Sequence, residues 1–166
     1  MKSKLQIAFL ALVLATIAQA LWQHGRLPAK VASHFDGAGA PNGWTSRGTH
    51  TKLHVATVVF MAVLFQGIVT LNTRLPEEYI NIPRRDYWLA PERAAITHRW
   101  LADMILAMGC VVLLFFMALF HLVYRANLVP DPQLDLAIWY YTIALLVAVG
   151  VLIAATLKRF GRTSAA

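Results

Sequence analysis

The chain has 166 residues, 58% hydrophobic and 14% charged, with a formal net charge of +7 and a mean hydropathy of +0.57. Soluble domains average about 45–50% apolar and about 25% charged residues, and disordered chains are poorer still in apolar side chains. Both classes are excluded, and the single cysteine, Cys110, excludes a disulfide scaffold.

Residues 5–22 form the first of four apolar runs and carry no charge. At about 1.5 Å rise per residue, roughly 20 residues cross a hydrocarbon core of about 30 Å, so the run is a candidate span. Helices are expected throughout, because the runs are continuous and a lone strand leaves its backbone unsatisfied in lipid. Two readings of this first run stay open. The basic start at Lys2 and Lys4 and the small-x-small triplet Ala18-Gln19-Ala20 fit a cleavable signal. Ala8, Ala11, Ala15 and Ala18 share one helix face, which suits close packing of a retained anchor.

The loop that follows holds Leu27-Pro28 through Gly43-Trp44. Val31 to Phe35 reads as a short extended piece. Gly37, Gly39 and Gly43 allow positive φ, and Pro41-Asn42-Gly43 is a turn signal. Phe35 and Trp44 are expected at the membrane interface. His34 is expected to hydrogen-bond backbone in the glycine-rich turn. His34, Asp36, His50 and His54 together could bind zinc, but His50-Thr51-Lys52-Leu53-His54 lacks the glutamate of the metalloprotease helix motif. No metal or other cofactor is expected, and His54 is placed at the headgroup boundary.

The second run, 53–72, is interrupted only by polar groups such as Gln66, expected to hydrogen-bond a neighbouring span. The next loop carries Asn81, Pro83, Arg84, Arg85, Asp86, Tyr87, Trp88, Pro91, Glu92 and Arg93. Pro91 and Glu92 suit a helix's first turn, so a helix is expected to start near Pro91 and enter the third run, 100–124. Tyr87 and Trp88 are placed at headgroup level, with Arg84 and Arg85 near phosphates. Asp103 is the one charged residue in any of the runs and is expected to pair with Arg99, four residues earlier. Cys110, Met104 and Met108 read as packing residues, and His121 as an interfacial histidine. In the fourth run, 136–157, Gly150 and Ala154 form a small-x-x-x-small pair suited to close packing.

Ten basic residues fall on one side of these spans: Lys2, Lys4, Arg74, Arg84, Arg85, Arg93, Arg99, Lys158, Arg159 and Arg162. Five fall on the other: Arg26, Lys30, Arg47, Lys52 and Arg125. The positive-inside rule makes the ten cytoplasmic. The expected fold is an all-α membrane protein, one integral domain over residues 1–166, with four transmembrane helices, both termini cytoplasmic and a structured outer loop. The positive charge then serves topology and anionic headgroups rather than nucleic acid.

The L-P-x-x-V-x-x-H-F-x-x-x-G-x-P-x-G-W pattern of residues 27–44 resembles the bacterial membrane family named domain of unknown function 1648. The N-I-P-x-x-D-Y-W-L-A-P-E-R pattern of residues 81–93 resembles a second stretch in longer members. The resemblance covers roughly residues 5–100. Ala32 departs from it, since many relatives carry proline there. The resemblance implies a multi-pass protein of the bacterial inner membrane. One relative protects Bacillus from its own secreted toxin, which makes toxin immunity one expectation.

The expected function is that of a non-enzymatic accessory, interaction or immunity-type protein. Its partners are the bilayer and a protein or peptide at the outer face, met by His34, Phe35, Asp36, Gly39, Gly43 and Trp44. The alternatives are a small transporter or channel subunit using Gln66, Asp103 and His121, or a metalloprotein built on the outer-loop histidines.

Overall fold

A computed structural model describes residues 3–161. Lys2 and Arg162, both used in the charge balance above, lie outside the described residues. In chain order the elements are helix α1 (Lys4–His24), strands β1 (Lys30–Phe35) and β2 (Pro41–Ser46), helix α2 (Arg47–Asn72), a 3-10 turn (Glu77–Tyr79), the short helix α3 (Arg85–Trp88), and helices α4 (Pro91–Ala126) and α5 (Ala137–Gly161). The four long helices are each long and apolar enough to cross a membrane. The protein is mostly helical and multi-pass. The all-α expectation is amended by the β1–β2 hairpin, whose backbone groups pair with each other between two helices.

The helix starts follow from local chemistry. Ser3 caps α1, its hydroxyl accepting from the Gln6 amide at 3.1 Å. Ser46 caps α2 by accepting from the Thr49 amide at 3.1 Å. The Asp135 carboxylate accepts from the Ala137 amide at the start of α5. Pro91 occupies the first turn of α4, as expected. With 36 residues, α4 is about 54 Å long at ~1.5 Å per residue, so its first turns extend beyond a ~30 Å hydrocarbon core.

α1, α2 and α4 pack against one another, and α5 packs on α4 alone among the long helices. The central contact is made by Phe9, Val58, Phe65, Leu106 and Leu113, with Met108 and Cys110 packed beside them. Phe9 lies edge-on to Phe65 at 6.2 Å. It crosses α4 at Gly109, where an added Cβ would stand 2.7 Å from the Phe9 ring. This small residue permits the close approach of helices that lipid itself does not drive. The alanine face and the Gly150–Ala154 pair do not play that part. Ala8, Ala11, Ala15, Ala18, Gly150 and Ala154 are all exposed, because α1 turns Phe9, Thr16, Ala20 and Gln23 inward and, of the long helices, α5 packs on α4.

The connections gather at opposite ends of the helices. The hairpin lies with the α4–α5 loop at one end. The 73–90 segment lies with the C-terminus of α5 at the other.

Candidate functional site

The hairpin is built from an antiparallel pair with Lys30 opposite Ser46, Ala32 opposite Trp44 and Phe35 opposite Pro41, with register shifts around His34. The extended reading of Val31–Phe35 is thus realised as β1. The turn falls elsewhere than expected. Pro41-Asn42-Gly43 lies within β2, and the chain reverses over Asp36–Ala40. Asp36 explains why: its Oδ1 accepts from the amides of Ala38 and Ala40, both at 2.9 Å, while its own amide donates to the Ala40 carbonyl. Gly39 is the glycine here with positive φ, 89°. It is buried against the α4–α5 loop, donating no side chain but accepting from the Leu134 amide at 2.9 Å. Gly43 serves close approach instead: a Cβ there would stand 2.9 Å from the His34 Cβ.

His34 does not hydrogen-bond the turn's backbone. Its Nδ1 lies 3.2 Å from the Ser33 hydroxyl, and the ring is exposed. Trp44 is exposed as well, with the Lys30 ammonium 5.2 Å from its ring centre. Phe35 is half-buried.

The residue that seats this hairpin is one that sequence patterns did not single out. Asn127, just past α4, is buried and reads both backbone groups of Ala32. The Ala32 amide donates to Asn127 Oδ1 at 2.7 Å, and Asn127 Nδ2 donates to the Ala32 carbonyl at 2.9 Å. The same nitrogen reaches the Val123 carbonyl at 2.9 Å. A proline at position 32 would have no amide for this bond. Leu27 and Val31 close the contact against Tyr124.

Beneath the hairpin, polar side chains enter the α1–α2–α4 interface. His54 is buried, stacked on Phe120 at 3.6 Å between ring centres. His50 meets the same ring edge-on at 6.2 Å. Gln19 donates to the Met117 carbonyl, and His24 pairs with the Thr51 hydroxyl. Gln23 and both buried histidines retain unpaired nitrogen atoms. Among the described residues no cluster of three or more His, Cys, Asp or Glu could hold a metal, so His34 and Asp36 are not brought together with His50 and His54 into such a site.

At the opposite end, the second motif folds onto α4 and α5. Arg84 takes a left-handed conformation, φ 54°, that turns the chain into α3. Asn81, Pro83 and Asp86 are exposed, with Asp86 beside Arg85 at 3.3 Å. Tyr87 lies under the Arg93 guanidinium at 4.1 Å, and Arg93 also donates to the Tyr87 carbonyl and pairs with Glu92 at 2.7 Å. Trp88 donates to the Phe160 carbonyl at 3.0 Å, and its carbonyl accepts from Thr97. Trp88 and Trp100 both meet the buried Phe160 ring edge-on. The motif thereby ties the end of α5 to the start of α4.

The polar span residues separate in the same way. Gln6 donates to Gln66 at 2.8 Å across α1 and α2, the expected interhelical bond. Gln66 and Asp103 line one cleft, whereas His121 is exposed at the far end of α4 beside Tyr124. Asp103 and Arg99 both face that cleft, yet no ion pair joins them.

Four membrane-crossing helices carrying a hairpin at one end define a multi-pass helical membrane protein. Residues 11–51, from within α1 to the first turn of α2, match the family described as Domain of unknown function (DUF1648), so this stretch of the chain is similar to that family. The match takes in the whole hairpin. No curated protein and no solved structure matches the chain, so the similarity to a toxin-immunity protein is not shown.

Proposed function

We propose that this protein is a non-enzymatic accessory protein of the bacterial inner membrane whose hairpin recognises a protein or peptide at the outer face. The observation that carries the reading is a pinned hairpin with an exposed aromatic. Trp44 and His34 are exposed on strands whose backbone is hydrogen-bonded to Asn127 and, at the turn, to Leu134. A rigid, pre-ordered surface loses less entropy on binding, and tryptophan is among the residues that dominate interfaces. The distribution of basic residues supports both termini in the cytoplasm and the hairpin outside. The packing of Phe9 into the core supports α1 as a retained helix rather than a removed signal. Toxin immunity is one form this recognition could take.

Two experiments test it. A cysteine at Ala38, in a Cys110→Ser background, is expected to react with a membrane-impermeant maleimide in intact cells; labelling only after lysis overturns the orientation. A photo-crosslinker at Asn42 is expected to capture one defined partner, lost in Trp44→Ala and His34→Ala. Identical capture by wild type and variants overturns the recognition role.

A further inference from the structure

The cleft at the N-terminal end of α1 has a composition unlike the rest of the spans. About 610 Å³ in volume, it is walled by Ser3 and Gln6 from α1, Gln66 from α2, and Arg99 and Asp103 from α4. Arg99 and Asp103 are opposite charges one helical turn apart. They form neither an ion pair nor a hydrogen bond with each other or with another described residue. An ionisable group within a span, as Asp103 is, marks a functional candidate whose partner is to be sought. The cation and the anion, held on one wall with free faces toward the cleft, call for a ligand that carries both signs.

The cleft continues into apolar surface. A groove of about 570 Å³ between α1 and α2 shares Leu10 and Gln66 with it and is walled further by Phe9, Ala62, Val63 and Gly67. Gly67 leaves the groove open, since nothing lies within 4 Å of where its Cβ would be. A polar site with both charges thus adjoins an apolar groove on the face of the bundle that meets lipid.

We propose that this is a specific phospholipid site, selecting a headgroup that carries a phosphate and a primary ammonium, with an acyl chain lying in the α1–α2 groove. The Arg99 guanidinium donates two N–H groups to phosphate oxygens, a geometry that favours arginine. Ser3, at the positive end of α1, adds a hydroxyl and the field of the helix terminus on the anion. Asp103 accepts from the ammonium. A trimethylated headgroup has no N–H to donate to it, and a glycerol headgroup has no cation. The site lies at the end of the molecule away from the hairpin and does not depend on what the hairpin binds.

The test uses the full chain in bilayers of equal parts phosphatidylethanolamine, phosphatidylcholine and phosphatidylglycerol with matched acyl chains. Native mass spectrometry after mild detergent release counts the lipid retained. Wild type is expected to retain phosphatidylethanolamine about tenfold over each of the others, the size of one charge-assisted hydrogen bond. Asp103→Asn removes the preference over phosphatidylcholine. Arg99→Gln lowers retention of all three lipids. Gly67→Leu lowers retention and leaves the headgroup ranking unchanged. Equal retention of the three lipids by wild type overturns the proposal without any variant, as does a preference that survives Asp103→Asn. Glycerophosphoethanolamine, the same headgroup without chains, is expected to compete poorly. Competition as strong as that of the intact lipid overturns the role of the groove.

Discussion

Replacing Asn127 by alanine removes three hydrogen bonds at once, two of them to Ala32 and one to Val123. Ala32 is fully buried and Asn127 nearly so, so water does not readily take over the freed amide and carbonyl. At about 1 kcal/mol for each of the two bonds lost to Ala32, and with the stranded amide and carbonyl adding to the cost, the hairpin should lose roughly 3 kcal/mol of its docking. That corresponds to about a hundredfold more frequent opening. The appropriate assay is amide hydrogen exchange in lipid discs, because it separates local opening of residues 30–46 from loss of the helical bundle. Asn127→Ala should accelerate exchange at the hairpin amides by about that factor while those of α2 near Phe65 remain protected. Ala32→Pro removes the Ala32 donor and sets the ring Cδ against Asn127 Oδ1, so it should open the hairpin at least as readily as Asn127→Ala. Hairpin protection unchanged in Asn127→Ala would refute the seating role of this side chain, and equal loss throughout the chain would refute its local character.

Other perturbations follow from the same contacts. Gly39→Ala combines a φ of 89° with a Cβ 2.5 Å from the Leu134 carbonyl oxygen, so a loss of at least ~1–2 kcal/mol is expected in thermal melts, whereas Gly37→Ala, with open space around it, should be near neutral. Gly109→Val should push α1 from α4 at Phe9 and cost about 1–3 kcal/mol, read as a lower melting temperature in detergent. Trp88→Phe keeps the packing on Phe160 but loses the indole bond to its carbonyl, so the end of α5 should exchange several-fold faster with little change elsewhere. Gln66→Leu should weaken α1–α2 association by about 0.5–1 kcal/mol in a steric-trap measurement, and an unchanged value would show that the Gln6 bond contributes nothing net.

Local chemistry accounts for much of this architecture. The four spans were readable because lipid tolerates only long chargeless helices, and the start of α4 because proline and glutamate suit a first turn. The Gln66 bond was readable because an amide in a span needs a partner. The turn was misread at Pro41-Asn42-Gly43 because Asp36 supplies a carboxylate that competes for the same reversal. The small-residue faces misled for a different reason: spacing gives a helix face but not the neighbour it meets.

What sequence by itself determined was the number and approximate position of the long apolar helices and the family mark in the 27–44 loop, since both rest on residues close together in the chain. Only tertiary structure decided that Asn127 seats Ala32 across 95 positions, that Trp88 holds Phe160, and that Arg99 and Asp103 face a cleft instead of each other. Those outcomes depend on how far each helix rotates about its axis and which ends meet. Such rotations are set by packing at Phe9, Gly109 and Phe65, which no local pattern encodes.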